Sequence, residues 1–304
     1  MTSPSASPTV LLASGLTKRY GRGVTALSNV SLAIPAGSIT GVVGPNAAGK
    51  STLIKCWVAF ERPTSGSVRV CDIDPSADRS AALGHVGFVP QQPALYPALT
   101  VEEHLAMASW LRPGFDVVSA RRHLDLFAVP ARVRPTALSG GQAAQVSVAI
   151  AIGTAADVLL LDEPFASLDP LARREVLSEL ARAAHIRGQT VVLASHLVSD
   201  IEQVCDRVIV LGQGRVTLDS EIESTIDDHV VVPAAGPQPP EAVAELMGGP
   251  GDRLWLLRRP VGGDLPTYGP EAREPSVSEL MWGYISAGRT PETAVAYTPA
   301  QGMR

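Results

Sequence analysis

One stretch constrains this chain more than any other: GVVGPNAAGKSTLIK, from Gly41 to Lys55. An apolar, β-branched run leads into a glycine-bearing loop, and the loop leads into a helix opening at Lys50. The loop fits G-x-x-x-x-G-K-[ST] at Gly44, Gly49, Lys50 and Ser51. Such a loop lets the backbone N–H groups of Asn46 to Lys50 converge on phosphate oxygens, helped by the helix N-terminus behind them. Lys50 offers a cation for the outer phosphates and Ser51 a hydroxyl for Mg²⁺. A plain glycine-rich turn ahead of a helix is the bland alternative. Ala47 stands where a third glycine is expected.

The rest of the pattern predicts an α/β fold with a mostly parallel sheet, whose ligands bind beyond the carboxyl ends of the strands. Alternation from Val10 to about Ile34 predicts antiparallel strands, and SITGVVG a buried strand. Residues 100 to 152 read as mostly helical, opening on a capping box at Thr100 and Glu103. VLLLDEP, 158 to 164, is a β-rich apolar run ending in acids. There Asp162 can hold Mg²⁺ through water, and Glu163 can polarise a water for in-line attack on a phosphate. LSGGQ, Leu138 to Gln142, places two glycines and Ser139 at the start of another helix, a second arrangement suited to an anion. A simple helix cap is the competing meaning.

Composition narrows the classes. The 304 residues are 45% hydrophobic and 18% charged, as in a globular chain, and the net charge of −5 argues against a nucleic-acid partner. Cys56, Cys71 and Cys205 form no metal or disulfide pattern and read as reduced, packed thiols. No secretory signal is evident at the N-terminus, and no apolar run reaches the ~18 residues of a membrane helix. A membrane role would need another chain to supply the span.

LSGGQ between a phosphate loop and an acid-ended strand resembles the signature of ATP-binding cassette (ABC) ATPases, over roughly residues 10 to 218. The resemblance implies a cassette with a phosphate-loop core, an antiparallel β subdomain and a helical subdomain. It implies ATP and Mg²⁺ as ligands. Gly44, Pro45, Asn46, Ala47, Ala48, Gly49, Lys50, Ser51 and Thr52 would hold the phosphates, and Tyr20 would stack on adenine. Ser51, Gln91 and Asp162 would serve the metal. Glu163, His196, Lys50 and Gln91 would act in hydrolysis. Ser139, Gly140, Gly141, Gln142 and Asp169 would face the nucleotide of a second, head-to-tail cassette, a homodimer. Ala47 replaces a glycine usual in the family; if φ must be positive there, the β-carbon costs ~1–2 kcal/mol. An affinity weakened about tenfold is then expected, without loss of hydrolysis. Ala143 and Ala144 stand where basic or polar residues are commoner.

The expected organisation is a disordered N-terminus at 1–9, the ABC domain at 10–220, a linker at 221–240, a small α+β appendage at 241–288 and a flexible tail at 289–304. QQPALYPALTVEEHLAMASWL and EPSVSELMWGYISAG resemble the ATPases of daunorubicin-type drug exporters. That resemblance implies an exporter motor at the cytoplasmic membrane face, bound to a separate transmembrane permease, whose coupling helix docks near residues 93 to 100. The Lys-poor, Arg- and Ala-rich composition suggests a GC-rich bacterial genome and, by association, antibiotic self-resistance. A sugar-type importer and a non-transport ABC ATPase, translation-associated or regulatory, are the alternatives.

Overall fold

The computed structural model describes residues 7–234, 236–249, 252–259 and 268–288. The expected tail at 289–304, and residues 1–6 of the expected disordered N-terminus, lie outside them. Thr9 already belongs to a strand.

Three layers build the cassette. β1 (Thr9–Arg19), β2 (Thr25–Pro35) and β4 (Ser65–Val70) form an antiparallel sheet in the order β2-β1-β4. Its alternating residues Leu11, Ala13, Leu32 and Ile34 face inward and are buried. Beneath it runs a six-stranded sheet in the order β5-β6-β7-β3-β8-β9. Its strands are β3 (Ile39–Val43), β5 (Val86–Val89), β6 (Val158–Asp162), β7 (Thr190–Ser195), β8 (Arg207–Gly212) and β9 (Arg215–Glu221). All pairings are parallel except β8 with β9. Every residue of β3, β6 and β7 is buried, as expected of parallel strands covered on both faces.

Helices cover the two sides. α1 (Lys50–Trp57) lies between the sheets with Leu53, Ile54 and Trp57 in the core. α2 (Arg79–Gly84) precedes β5. α3 (Val101–Leu111), α4 (Val117–Leu126) and α5 (Gly140–Gly153) form the helical region, with a small core of their own around Leu105, Leu124 and Val146. The Thr100–Glu103 capping box is formed at the start of α3. α6 (Pro170–Arg187) presents Val176, Leu177, Leu180 and Ala184 to the far face of the sheet and stops at Gly188, whose φ is +63°. α7 (Val198–Val204) follows β7.

The segment expected as a linker is structured. α8 (Ile222–Asp227) and β10 (His229–Pro233) occupy it, and β10 pairs along its length with β12 (Asp252–Arg258). The β-branched run Val230–Val232 favours a strand, and the prolines follow it rather than interrupt it. β11 (Ala242–Gly249) completes a three-stranded antiparallel sheet. α9 (Val277–Ala287), with its own capping box from Ser276 and Glu279, binds this sheet to the cassette. Leu280 packs with Val231, Leu246 and Leu256, while Met281 and Ile285 enter the cassette core. No helix among the described residues is long and apolar enough to cross a membrane.

Candidate nucleotide site

The loop after β3 turns over the carboxyl ends of the parallel strands. A β-carbon on Gly44 would lie 2.3 Å from the Leu211 carbonyl oxygen, so the loop can pass β8 only with glycine there. Gly49 has φ +106°, and a β-carbon would meet the Ala26 carbonyl oxygen at 2.6 Å. Gly49 is also the N-cap residue of α1 and offers no side chain to the open N–H groups of the first turn. That leaves an uncapped helix end beside a loop of backbone donors, a cradle suited to phosphate. Ala47 has φ +65°, the left-handed region. The condition set for its strain therefore holds.

Lys50 is buried. Its Nζ donates to the carbonyls of Gly44 at 2.8 Å and Pro45 at 3.2 Å and lies 3.3 Å from Glu163 Oε1. Ser51 Oγ donates to Asp162 Oδ1 at 2.8 Å. A hydroxyl and a carboxylate side by side are hard oxygen donors of the kind Mg²⁺ takes. Burial pushes the Asp162 carboxyl above the usual carboxylate range, against the opposing hydrogen bond from Ser51. A cation would relieve that.

Glu163 gathers three partners. Beside Lys50, its Oε2 accepts from Gln91 Nε2 at 3.3 Å and lies 3.1 Å from His196 Nδ1. Its own φ is +47° and its N–H donates to the Ala194 carbonyl, so the backbone is bent to aim the side chain. A cleft of about 400 Å³ opens in front, lined by Tyr20, Asn46 to Thr52, Gln91 and Glu163. Val24, Thr25 and Ala26 also line it and are not singled out by the sequence; only their nearness to Tyr20 along the chain points to them.

Ser139, Gly140, Gly141, Gln142 and Asp169 do not line this cleft. Ser139 and Gln142 cap α5 reciprocally. Asp169 caps α6, accepting from the N–H groups of Leu171 and Ala172. The two groups are nonetheless neighbours, since a β-carbon on Gly140 would come within 3.2 Å of Ser167 and one on Gly141 within 2.7 Å of Leu168. The fold thus collects the predicted residues into two places.

Fold and cleft together define a phosphate-loop nucleotide-binding protein. The family model described as ABC transporter matches residues 27–166. The methionine import ATP-binding protein MetN of Streptomyces coelicolor is 32% identical, covering 90% of this chain and 80% of that one. The phosphonates import ATP-binding protein PhnC of Chromohalobacter salexigens is 36% identical over 67% of this chain and 81% of its own. Among solved structures, the dimeric post-hydrolysis ATP-binding cassette MJ0796 with ADP and Pi aligns with TM-score 0.64 and 27% identity, over 69% of this chain and 98% of that chain. The chain belongs to the ATP-binding subunits of the ABC transporter family. It is an ATPase with ATP and Mg²⁺ as its ligands.

Proposed function

We propose that this chain is the motor of a membrane transporter, one of two identical cassettes that close head to tail on ATP beneath a separate membrane-spanning subunit. One observation carries this reading. The donors of the cleft come from residues 46 to 52 and Gln91, and the second anion-suited helix end, at Ser139, is exposed and does not line it. ATP carries several negative charges, and donors from both sides hold it better than one. A second copy would supply the other side, so ATP would act as the glue of a two-state switch.

In this reading Lys50 and the amides of residues 46 to 50 hold the outer phosphates, and Tyr20 stacks on the base. Ser51 and Asp162 hold Mg²⁺, with Gln91 between metal and transport partner. Glu163 polarises the attacking water, and His196 touches the γ-phosphate. Ser139 to Gln142 and Asp169 serve the partner's nucleotide. The cassette spans residues 10 to 220, and the appendage begins with β10.

The named relatives import methionine and phosphonates, so they favour import and lend no support to the expected drug-exporter type or to antibiotic resistance. Of the two stretches that prompted the export expectation, Glu274 to Gly288 folds as a capped helix bound into the cassette core, which bears on the packing of the appendage and not on direction. Direction belongs to the membrane subunit, which carries the substrate path. A neighbouring gene for an extracellular binding protein would favour import.

The deciding experiment is Mg²⁺-dependent ATP hydrolysis by the purified chain beside Lys50→Ala and Glu163→Gln. Activity lost in both, with dimers trapped by ATP in Glu163→Gln, is the expected result. Full activity in Glu163→Gln would remove the assigned role of Glu163.

A further inference from the structure

Three segments meet at the amino ends of β5 and β6, the opposite ends of the parallel strands from those that carry the cleft. Cys71 follows β4, His85 precedes β5 and Asp157 precedes β6. One donor atom from each, a sulfur, a ring nitrogen and a carboxylate oxygen, all lie within 4.8 Å of one another. His85 Nδ1 is already 2.5 Å from Asp157 Oδ2. We propose that Cys71, His85 and Asp157 form a binding site for a zinc-class divalent cation, with water as the fourth ligand, that clips the antiparallel sheet to the start of the parallel one.

The donor set is the argument for the metal. Thiolate, imidazole and carboxylate together are the ligands of Zn²⁺ and its neighbours, not of Mg²⁺ or Ca²⁺. Bond lengths of about 2.0–2.3 Å at tetrahedral angles put ligand atoms about 3.5 Å apart, so the cluster must tighten by roughly 1 Å. The side chains can do this, since that of Asp157 is 64% exposed and that of His85 39%.

Their backbones hold still. The Cys71 N–H donates to Val10, the Val158 N–H to the His85 carbonyl and the Thr190 N–H to the Asp157 carbonyl. Cys71 sits in a tight turn closed by Val70 and Ile73, with φ +46°, and Asp72 beside it has φ +64°.

Charge is consistent with this. A thiolate, a carboxylate and a neutral imidazole cancel a divalent cation. The nearby Arg112, whose guanidinium is tied to the carbonyls of Leu83, Val86 and Thr154, then faces a neutral complex. On binding, the thiol proton leaves to solvent and the sulfur lone pair goes to the metal.

The test uses the full chain, stripped with EDTA, desalted and titrated with Co²⁺ in the absence of nucleotide. A thiolate-to-cobalt charge-transfer band, saturating at about one ion per chain and displaced by Zn²⁺, is expected. It should vanish in Cys71→Ser, which separates this site from Cys56, Cys205 and the Mg²⁺ site. Asp157→Asn, an exposed change that leaves the fold intact, should weaken Zn²⁺ in chelator competition by more than about tenfold. Zinc should also raise the wild-type Tm but not that of Cys71→Ser. No band in the wild type, a band that survives Cys71→Ser, or unchanged zinc affinity in Asp157→Asn would overturn the site. A band without a change in Tm would overturn the clip.

Discussion

Two helix ends in this chain carry the same chemistry in opposite ways. α1 opens behind Gly49 with no side-chain cap and no acid in its first turn, inside a cleft that also buries Lys50. α5 opens behind Ser139 with both halves of a capping box formed, and Ser139 and Gly140 are exposed. An uncapped end relies on a ligand for its N–H groups, while a capped end is stable by itself at the surface. The first is built as a binding site within one chain. The second is the end that the proposed dimer would bring to the nucleotide of another copy.

The two ends should differ most in their response at Lys50. Lys50→Ala removes the one buried cation of the cleft, and loss of a preorganised donor of this kind costs about 10²–10³-fold in turnover. ATP binding to the single chain, followed by fluorescence or calorimetry, should fall with it. The signature end should behave differently. Gly140→Asp adds an acid where the partner's phosphates are expected, with its β-carbon only 3.2 Å from Ser167. Turnover should fall steeply and the ATP-dependent dimer should disappear from size exclusion, while ATP affinity of the monomer stays unchanged. A monomer that loses ATP as well would merge the two ends into one site.

The motifs of the first end are legible in the sequence, and those of the second only by half. The phosphate loop, the Asp162–Glu163 strand end and the Thr100–Glu103 box are local patterns, written in consecutive residues that must be neighbours. Ser139 was ambiguous because the residues that make an anion site also make a helix cap, and here they form the cap. Asp169 shows the same ambiguity: the resemblance assigns it to the dimer seam, and in the structure it caps α6. What depended on distant partners was hidden. The prolines after β10 outweigh its short β-branched run in a linear reading, and the pairing with β12 is what secures it as a strand. The left-handed backbone of Glu163 and the meeting of Cys71 with His85 and Asp157 are set by tertiary contacts that no window of sequence contains.

A smaller effect sharpens the difference through pH. Behind Ser51 of α1 the Asp162 carboxylate is buried, and burial raises it above its ordinary value of 3.8. In EDTA the folded chain therefore binds the proton more readily than the unfolded one. As pH rises from 3.8 through the raised folded value, this group subtracts stability, and the loss is complete above that value. Asp162→Asn keeps an acceptor for the Ser51 hydroxyl and lacks the penalty. Its Tm in EDTA should exceed that of the wild type at neutral pH, and the gap should close as pH falls below the ordinary carboxylate value. A gap independent of pH would trace to packing instead. At the α5 end, Ser139 to Gln142 contain no titratable group, so Ser139→Ala should cost about 1 kcal/mol of helix cap with no such dependence.

The smallest effect concerns Ala47, and it decides where the strain of the α1 cradle is stored. The residue holds φ +65° within a turn that the chain fixes by itself, through Ala48 N–H to Pro45 and Gly214 N–H to Ala48. Strain held by protein contacts counts against folding more than against binding. A left-handed alanine costs ~1–2 kcal/mol, and the extra freedom of glycine in the unfolded chain takes back ~0.4–1 kcal/mol. Ala47→Gly should then stabilise the chain by about 0.5–1 kcal/mol in urea denaturation, with ATP affinity changing by less than the tenfold expected from sequence. Tenfold tighter ATP without added stability would reverse the assignment. The loop would then have to move on binding, and the α1 end would no longer be a cradle set in advance by the chain's own contacts.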